Sequence, residues 1–176
     1  MGEKKKGQIE KQLNDEYISY LLRLFDNEDS RMNKLESKIT QLIAQSGLII
    51  SIVTFIIPLF YDSLKCIFLE LKVVLALTFL VTILLLCTSI FYASKIFNIQ
   101  KFKYADCSEE TVRCGHKKVS EFKKEYIDDL IFSIDRNRGL NNTKGTILLK
   151  SNKLFAFGIY FLVALTIELL IVSFII

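Results

Sequence analysis

The sequence predicts an all-α integral membrane protein with three transmembrane helices and a cytoplasmic helical bundle. Three observations predict it. Two uncharged segments, 39–61 and 73–94, hold 23 and 22 residues. A third segment, 154–176, holds 23 residues and one charge, Glu168. A helix needs roughly 20 apolar residues to cross the ~30 Å hydrocarbon core of a bilayer, and each segment is long enough. The basic residues then alternate between the intervening segments. Residues 1–38 carry eight Lys/Arg, 62–72 carry two, 95–153 carry thirteen, and none follows Lys153.

Lys and Arg accumulate on the cytoplasmic side of membrane proteins. The expected location is therefore a cell inner membrane, with the N-terminus and 95–153 in the cytoplasm. The 62–72 connector and the C-terminus lie outside. This topology accounts for the net charge of +4 without nucleic acid. The 51% hydrophobic content is concentrated in the three segments, so a single membrane domain, 1–176, is expected. The basic start at Met1 has no apolar run behind it of the kind a secretory leader carries. Lys6 occupies the position where myristoylation favours Ser or Thr.

Residues 8–25 read as an amphipathic helix, because Ile9, Leu13, Tyr17, Tyr20, Leu21, Leu24 and Phe25 recur at helical steps. Its apolar face packs on the protein's own cytoplasmic helices, on a partner or on a membrane surface, the last disfavoured by the few basic residues that flank it. Asp26-Asn27-Glu28-Asp29-Ser30 reads as a break, with Asp29 or Ser30 capping the next helix. That helix is expected from 31 to 59, its stripe of Met32, Leu35, Ile39 and Leu42 running into the first span. Within it Thr40, Ala44, Gly47, Ser51, Thr54 and Pro58 share one face. Small and hydroxyl residues let helix backbones approach closely in lipid. That face packs on a neighbouring span or lines a pore. Pro58, the only proline, stands near the outer end, where a kink or a helix end is tolerable.

The second span has Thr78, Thr82, Ser89 and Ala93 on one face, a match for the stripe of the first span. Phe91-Tyr92 fall at the inner interface, where amphipathic rings anchor. The helix is expected to continue through Phe102 and Tyr104, to a turn at Ala105-Asp106-Cys107-Ser108. A second cytoplasmic helix follows over 109–137, with an apolar stripe of Val112, Val119, Phe122, Tyr126, Leu130, Ile131 and Ile134. Residues 136–142 read as a reversal rich in Asn and Gly, and Asn142 or Thr143 caps the last helix. The 95–153 segment would then fold as a helical hairpin.

No catalytic constellation is present, and no enzyme is expected. His116 is the only histidine, and no phosphate-cradling Gly-rich loop occurs. Cys107, Cys114 and His116 lack the paired spacing of zinc sites, so neither a metal nor a cofactor is implied. Cys66 is the one cysteine on the outer connector, where an intermolecular bridge is its only disulfide option. Arg113, Lys117, Lys118, Arg136, Arg138 and Lys144 are candidates for binding an anionic nucleotide, although topology alone calls for basic residues there. Glu168 is the residue that most needs an explanation, because a charge at mid-bilayer costs roughly 2.5–3.5 kcal/mol on insertion scales. Three readings remain open: a hydrogen bond to Thr or Ser of another span, a ring of Glu168 side chains about a symmetry axis, or snorkelling to the outer surface. Ser51, Thr54, Thr78, Thr82 and Ser89 are the other intramembrane polar candidates, for packing or for a pore.

A charged N-terminal helix leads into Leu35-Glu36-Ser37-Lys38-Ile39 and a tight two-span hairpin. Glu125-Tyr126-Ile127-Asp128-Asp129-Leu130 follows, then Asn142-Thr143-Lys144 and Lys150-Ser151-Asn152-Lys153 before the last span. This organisation resembles the small membrane effectors of bacterial anti-phage systems, the Pycsar transmembrane type and the related SLATT domains. The third span departs from the two spans usual in SLATT domains. The resemblance implies a homo-oligomer that perturbs the inner membrane once infection is sensed, an abortive-infection effector. Its partners would be the lipid bilayer and a nucleotide second messenger or a soluble sensor protein. The competing expectation is a non-pore anchor or sensor subunit that recruits a soluble partner through its cytoplasmic helices.

Overall fold

The computed structural model describes residues 2–65, 68–98 and 119–175, with side chains described for 15–56, 58, 68–97 and 121–174. The described chain is helical. Helix α1 spans Gly2–Lys65, α2 spans Leu69–Lys95 and ends in a 3-10 turn at Ile96–Asn98, and α3 spans Val119–Ile175. Each of the three contains a stretch long and apolar enough to cross a membrane. The expected 105–108 turn, the beginning of the 109–137 helix and the 102–104 extension lie outside the described residues.

Two expected interruptions are absent. Helix α1 runs through Asp26–Ser30 without a break. Asp29 does not cap a new helix: its Oδ2 accepts from Asn33 Nδ2 one turn further on, at 3.2 Å. Helix α3 runs through 136–142 without a reversal. Thr143 Oγ1 donates to the Gly139 carbonyl at 3.0 Å, a bond inside a continuing helix and not a cap. No described glycine has a positive φ, so Gly139 turns nothing. Helix α1 also continues through Pro58 to Lys65, and α2 starts at Leu69, so the first connector is shorter than 62–72.

The chain divides into two compact units. The first comprises Met1–Lys34 and Gln100–Thr143. Here α1 and α3 lie side by side in parallel, because the paired positions keep a nearly constant offset. Lys123 pairs with Asp15, Asn141 with Glu28, and Arg31 with Asn142. On α1 the inward positions Leu21, Phe25, Glu28 and Met32 step by 4, 3 and 4. On α3 Leu130, Ile134, Asn137 and Asn141 step by 4, 3 and 4. This is the spacing of helices that pack knobs into holes. The seam is unusually polar: Asn137 and Asn141 are both fully buried. Asn141 Nδ2 donates to the Glu28 carbonyl at 2.9 Å and to Glu28 Oε2 at 2.8 Å. These contacts use the residues that locally favour a turn, which is why no turn forms.

The second unit comprises Leu35–Ile99 and Lys144–Ile176, and all three helices contribute. The same steps recur. Helix α1 turns inward Leu35, Ile39, Leu42, Ser46, Ile49 and Val53, and α2 turns inward Leu75, Phe79, Thr82, Leu86, Ser89 and Ala93. On α3 the steps of 4 and 3 run from Lys144 through Leu148, Ser151, Phe155, Gly158, Leu162, Leu165 and Leu169 to Val172. Two apolar clusters form the core. Ile39, Leu42, Ala93, Ile96 and Leu148 meet at one end, and Val53, Leu75, Leu165 and Val172 at the other. These groupings require α2 to run antiparallel to α1 and α3. Large apolar side chains also cover the outside, including Phe55, Leu77, Leu84, Phe157 and Ile171, each more than half exposed. An apolar exterior of this extent suits contact with lipid.

Candidate functional site

The polar groups enclosed by the apolar helices of the second unit are its most unusual chemistry. Between α2 and α3 they form a ladder. At one level Ser89 Oγ donates to the Ser151 carbonyl at 2.9 Å, and Ser151 Oγ donates to the Ser89 carbonyl at 2.7 Å. Both serines are fully buried. Further along, Gly158 faces Leu86 so closely that a β-carbon on Gly158 would stand 2.8 Å from Leu86 Cδ2. Still further along, Thr78 Oγ1 donates to Glu168 Oε1 at 3.1 Å. Thr82 is fully buried and donates to the Thr78 carbonyl at 2.7 Å. Hydrogen bonds between helices in lipid are worth about 0.6 kcal/mol on average and up to about 1.7.

The stripe of the second span was expected to match that of the first; instead its Thr78 and Ser89 bond to α3, and its Ala93 joins the cluster of Ile39, Leu42 and Leu148. The first-span stripe looks outward. Thr40, Ala44, Ser51, Thr54 and Pro58 are exposed, and nothing lies within 4 Å of the place a β-carbon on Gly47 would take. Its hydroxyls are held by their own helix: Ser51 Oγ donates to the Gly47 carbonyl at 3.0 Å, and Thr54 Oγ1 to the Ile50 carbonyl at 2.8 Å. Among the described residues, neither α2 nor α3 covers this face.

The basic candidates divide into two groups. Arg113, Lys117 and Lys118 lie outside the described residues, as do Cys107, Cys114 and His116. Arg136 and Arg138 are exposed on α3 in the first unit, with Arg138 Nε 3.9 Å from Glu28 Oε1. Lys144, in the second unit, has a side chain only 3% exposed and bonds Glu36 Oε1 at 3.1 Å. It serves the contact between α1 and α3. Among the described residues no group of three His, Cys, Asp or Glu could hold a metal ion. At the end of α2, Lys95 Nζ sits 4.7 Å from the centre of the Phe91 ring and 5.4 Å from that of Tyr92. A cation over aromatic faces suits the junction between apolar and wet surroundings.

Sequence reasoning missed Ser151, Gly158, Glu28, Asn137 and Asn141 as seam positions. The signal was available: from Leu130 to Val172 the inward residues of α3 step by 4 and 3 without a slip. Asn137 and Asn141 carry a turn preference that masks their place in the repeat. The chain matches no family model, no curated protein and no solved structure.

Proposed function

We propose that this chain is a three-span membrane protein that acts as an oligomeric effector, perturbing or permeabilising a bacterial inner membrane when triggered, in anti-phage defence. The N-terminus and 95–153 face the cytoplasm in this reading, and the C-terminus faces outward, following the Lys/Arg distribution. The observation that carries the oligomer is the outward stripe of small and hydroxyl residues on α1, from Thr40 to Thr54. In lipid such a face gains more from close contact with another helix than from contact with acyl chains. The defence setting rests on the resemblance in organisation described above. A nucleotide second messenger or a soluble sensor would act on the cytoplasmic segment.

The second reading is an anchor or sensor that recruits a soluble partner. It is favoured by the exposed aromatic residues of the first unit, among them Tyr17, Tyr20 and Phe132. Two measurements separate the readings. Single cysteines at Ser51 and Gly47, in a chain with Cys66, Cys87, Cys107 and Cys114 replaced, should crosslink between copies in membranes. A cysteine at Leu84, exposed on α2, should not. Induced expression should also depolarise cells carrying a potential-sensitive dye. Crosslinking without depolarisation under every trigger tried would leave the oligomer and remove the effector. No crosslinking and no depolarisation would favour the anchor.

A further inference from the structure

We propose that the outward face of α3 binds an anionic phospholipid, with its phosphate on Lys150 and Lys153 and its acyl chains along Phe157 and Tyr160. The argument begins with helical spacing. Lys150, Lys153, Phe157, Tyr160 and Ala164 step by 3, 4, 3 and 4, so they share one side of the helix. That side lies opposite the seam of Ser151, Phe155, Gly158 and Leu162. The two lysines and the two aromatic residues are all exposed, Tyr160 by 71%. Ile167 and Ile171, also exposed, continue the face. The order is that of an amphiphile: two ammonium groups, two aromatic rings, then aliphatic side chains.

Nothing in the second unit neutralises the two lysines. Its described carboxylates are Glu36, Glu70 and Glu168. Glu36 is bonded to Lys144, and Glu168 accepts from Thr78. Glu70 stands in the first turn of α2, at the end away from Ser89 and its partner Ser151. Lys95 offers a contrast. Its ammonium sits over the rings of Phe91 and Tyr92, whereas those of Lys150 and Lys153 meet no partner among the described residues. The Tyr160 hydroxyl meets none there either. Helical side chains lean toward the N-terminal end of their helix. The phenol of Tyr160, whose backbone lies about 10 Å beyond that of Lys153, therefore extends back toward it. Ammonium, phenol O–H and apolar run then follow the order of phosphate, ester carbonyl and acyl chain in a phospholipid.

A second copy of the chain suits this face poorly. Copies in one membrane share an orientation, so a two-fold contact here sets Lys150 and Lys153 against the same lysines. Aromatic rings also hold helix backbones apart, while small residues let them approach. Among lipids, phosphatidylcholine carries a quaternary ammonium that opposes the lysines, and phosphatidylglycerol carries none. A lysine near an anionic lipid surface contributes a factor of about five to binding.

The inference rests on the membrane reading above and is independent of the effector reading. The chain has no tryptophan, so Phe157→Trp puts a single fluorescent reporter on this face, and Leu84→Trp puts one on the exposed side of α2. The full-length variants are placed in phosphatidylcholine vesicles with a minor fraction of phosphatidylglycerol, the acyl chains of one lipid or the other being brominated to quench. Brominated phosphatidylglycerol should quench the reporter at 157 far beyond its share of the lipid, and the reporter at 84 only in proportion to it. Lys150→Gln with Lys153→Gln should remove a preference of about 25-fold at 157, and Lys150→Arg with Lys153→Arg should keep it. Proportional quenching at 157, or a preference that survives the glutamines, would overturn the proposal. So would quenching at 84 with none at 157, because another chain would then cover the face. Loss of the preference when inorganic phosphate replaces chloride at equal ionic strength would do the same, since the lysines would then hold the free anion. Quenching at neither position would sink the membrane reading itself. Circular dichroism confirms that each variant folds, and Tyr160→Trp carries the test if Phe157→Trp does not.

Discussion

Replacing Gly158 by alanine puts a methyl group where α2 and α3 already touch. The new carbon would lie 2.8 Å from Leu86 Cδ2, 3.1 Å from Leu86 Cγ and 3.7 Å from Leu85 Cβ. Leu86 is fully buried, so its side chain cannot swing aside without displacing others. Forcing an extra methyl into a packed core costs about 1–3 kcal/mol. Alanine in place of glycine also returns about 1 kcal/mol of helix propensity. The net expectation is a loss of roughly 0–2 kcal/mol. Gly139 and Gly145 supply the control, because a β-carbon on either meets nothing within 4 Å. Gly139→Ala and Gly145→Ala should keep the propensity gain and stabilise. The gap between Gly158→Ala and these controls isolates the packing term, about 1–3 kcal/mol. Reversible unfolding in mixed detergent micelles, followed by circular dichroism, measures all three. Leu86→Ala should rescue Gly158→Ala in a double-mutant cycle. If Gly158→Ala stabilises as much as Gly139→Ala does, the close approach of α2 to α3 at this level is wrong.

Three more outcomes follow from the same contacts. Ser89→Ala and Ser151→Ala should each cost up to about 1.7 kcal/mol, and their effects should be non-additive in micelle unfolding because the two hydroxyls exchange reciprocal bonds. Asn141→Leu removes both bonds to Glu28 and should cost about 1–3 kcal/mol, with faster hydrogen exchange near Glu28 on α1. Glu36→Ala removes the bond from the buried Lys144 to Glu36 Oε1 and should destabilise more than the paired change Glu36→Ala with Lys144→Met, because breaking one contact of a buried ion costs more than an apolar replacement of the pair; thermal unfolding of the two variants compares them.

The two interruptions that did not form show where local reading stops. Asp, Asn and Gly prefer caps and turns by roughly 0.5–1 kcal/mol per residue relative to good helix formers. Asn141 alone makes two bonds to Glu28, and Arg31 Nη2 donates to Asn142 Oδ1 at 2.8 Å. Contacts made across more than a hundred residues of sequence outweigh that preference, and no window of local sequence contains them. The 4–3 step on α3 was nonetheless legible, since Asn137, Asn141 and Lys144 keep the spacing of the leucines around them. A polar residue at such a position trades stability for a defined register.

The amino-acid order by itself determined that three stretches are long and apolar enough to cross a membrane, and where each lies. That property is a sum over neighbouring residues, so it needs no fold. It also placed polar stripes on the first and second spans, because side-chain direction follows from helical periodicity. Only the tertiary structure decided what each stripe meets: Thr78, Thr82 and Ser89 turn toward the core, with Thr78 and Ser89 bonded to α3, while Ser51 and Thr54 face away from both other helices. Periodicity defines a face, but its partner is chosen by how well two distant surfaces fit.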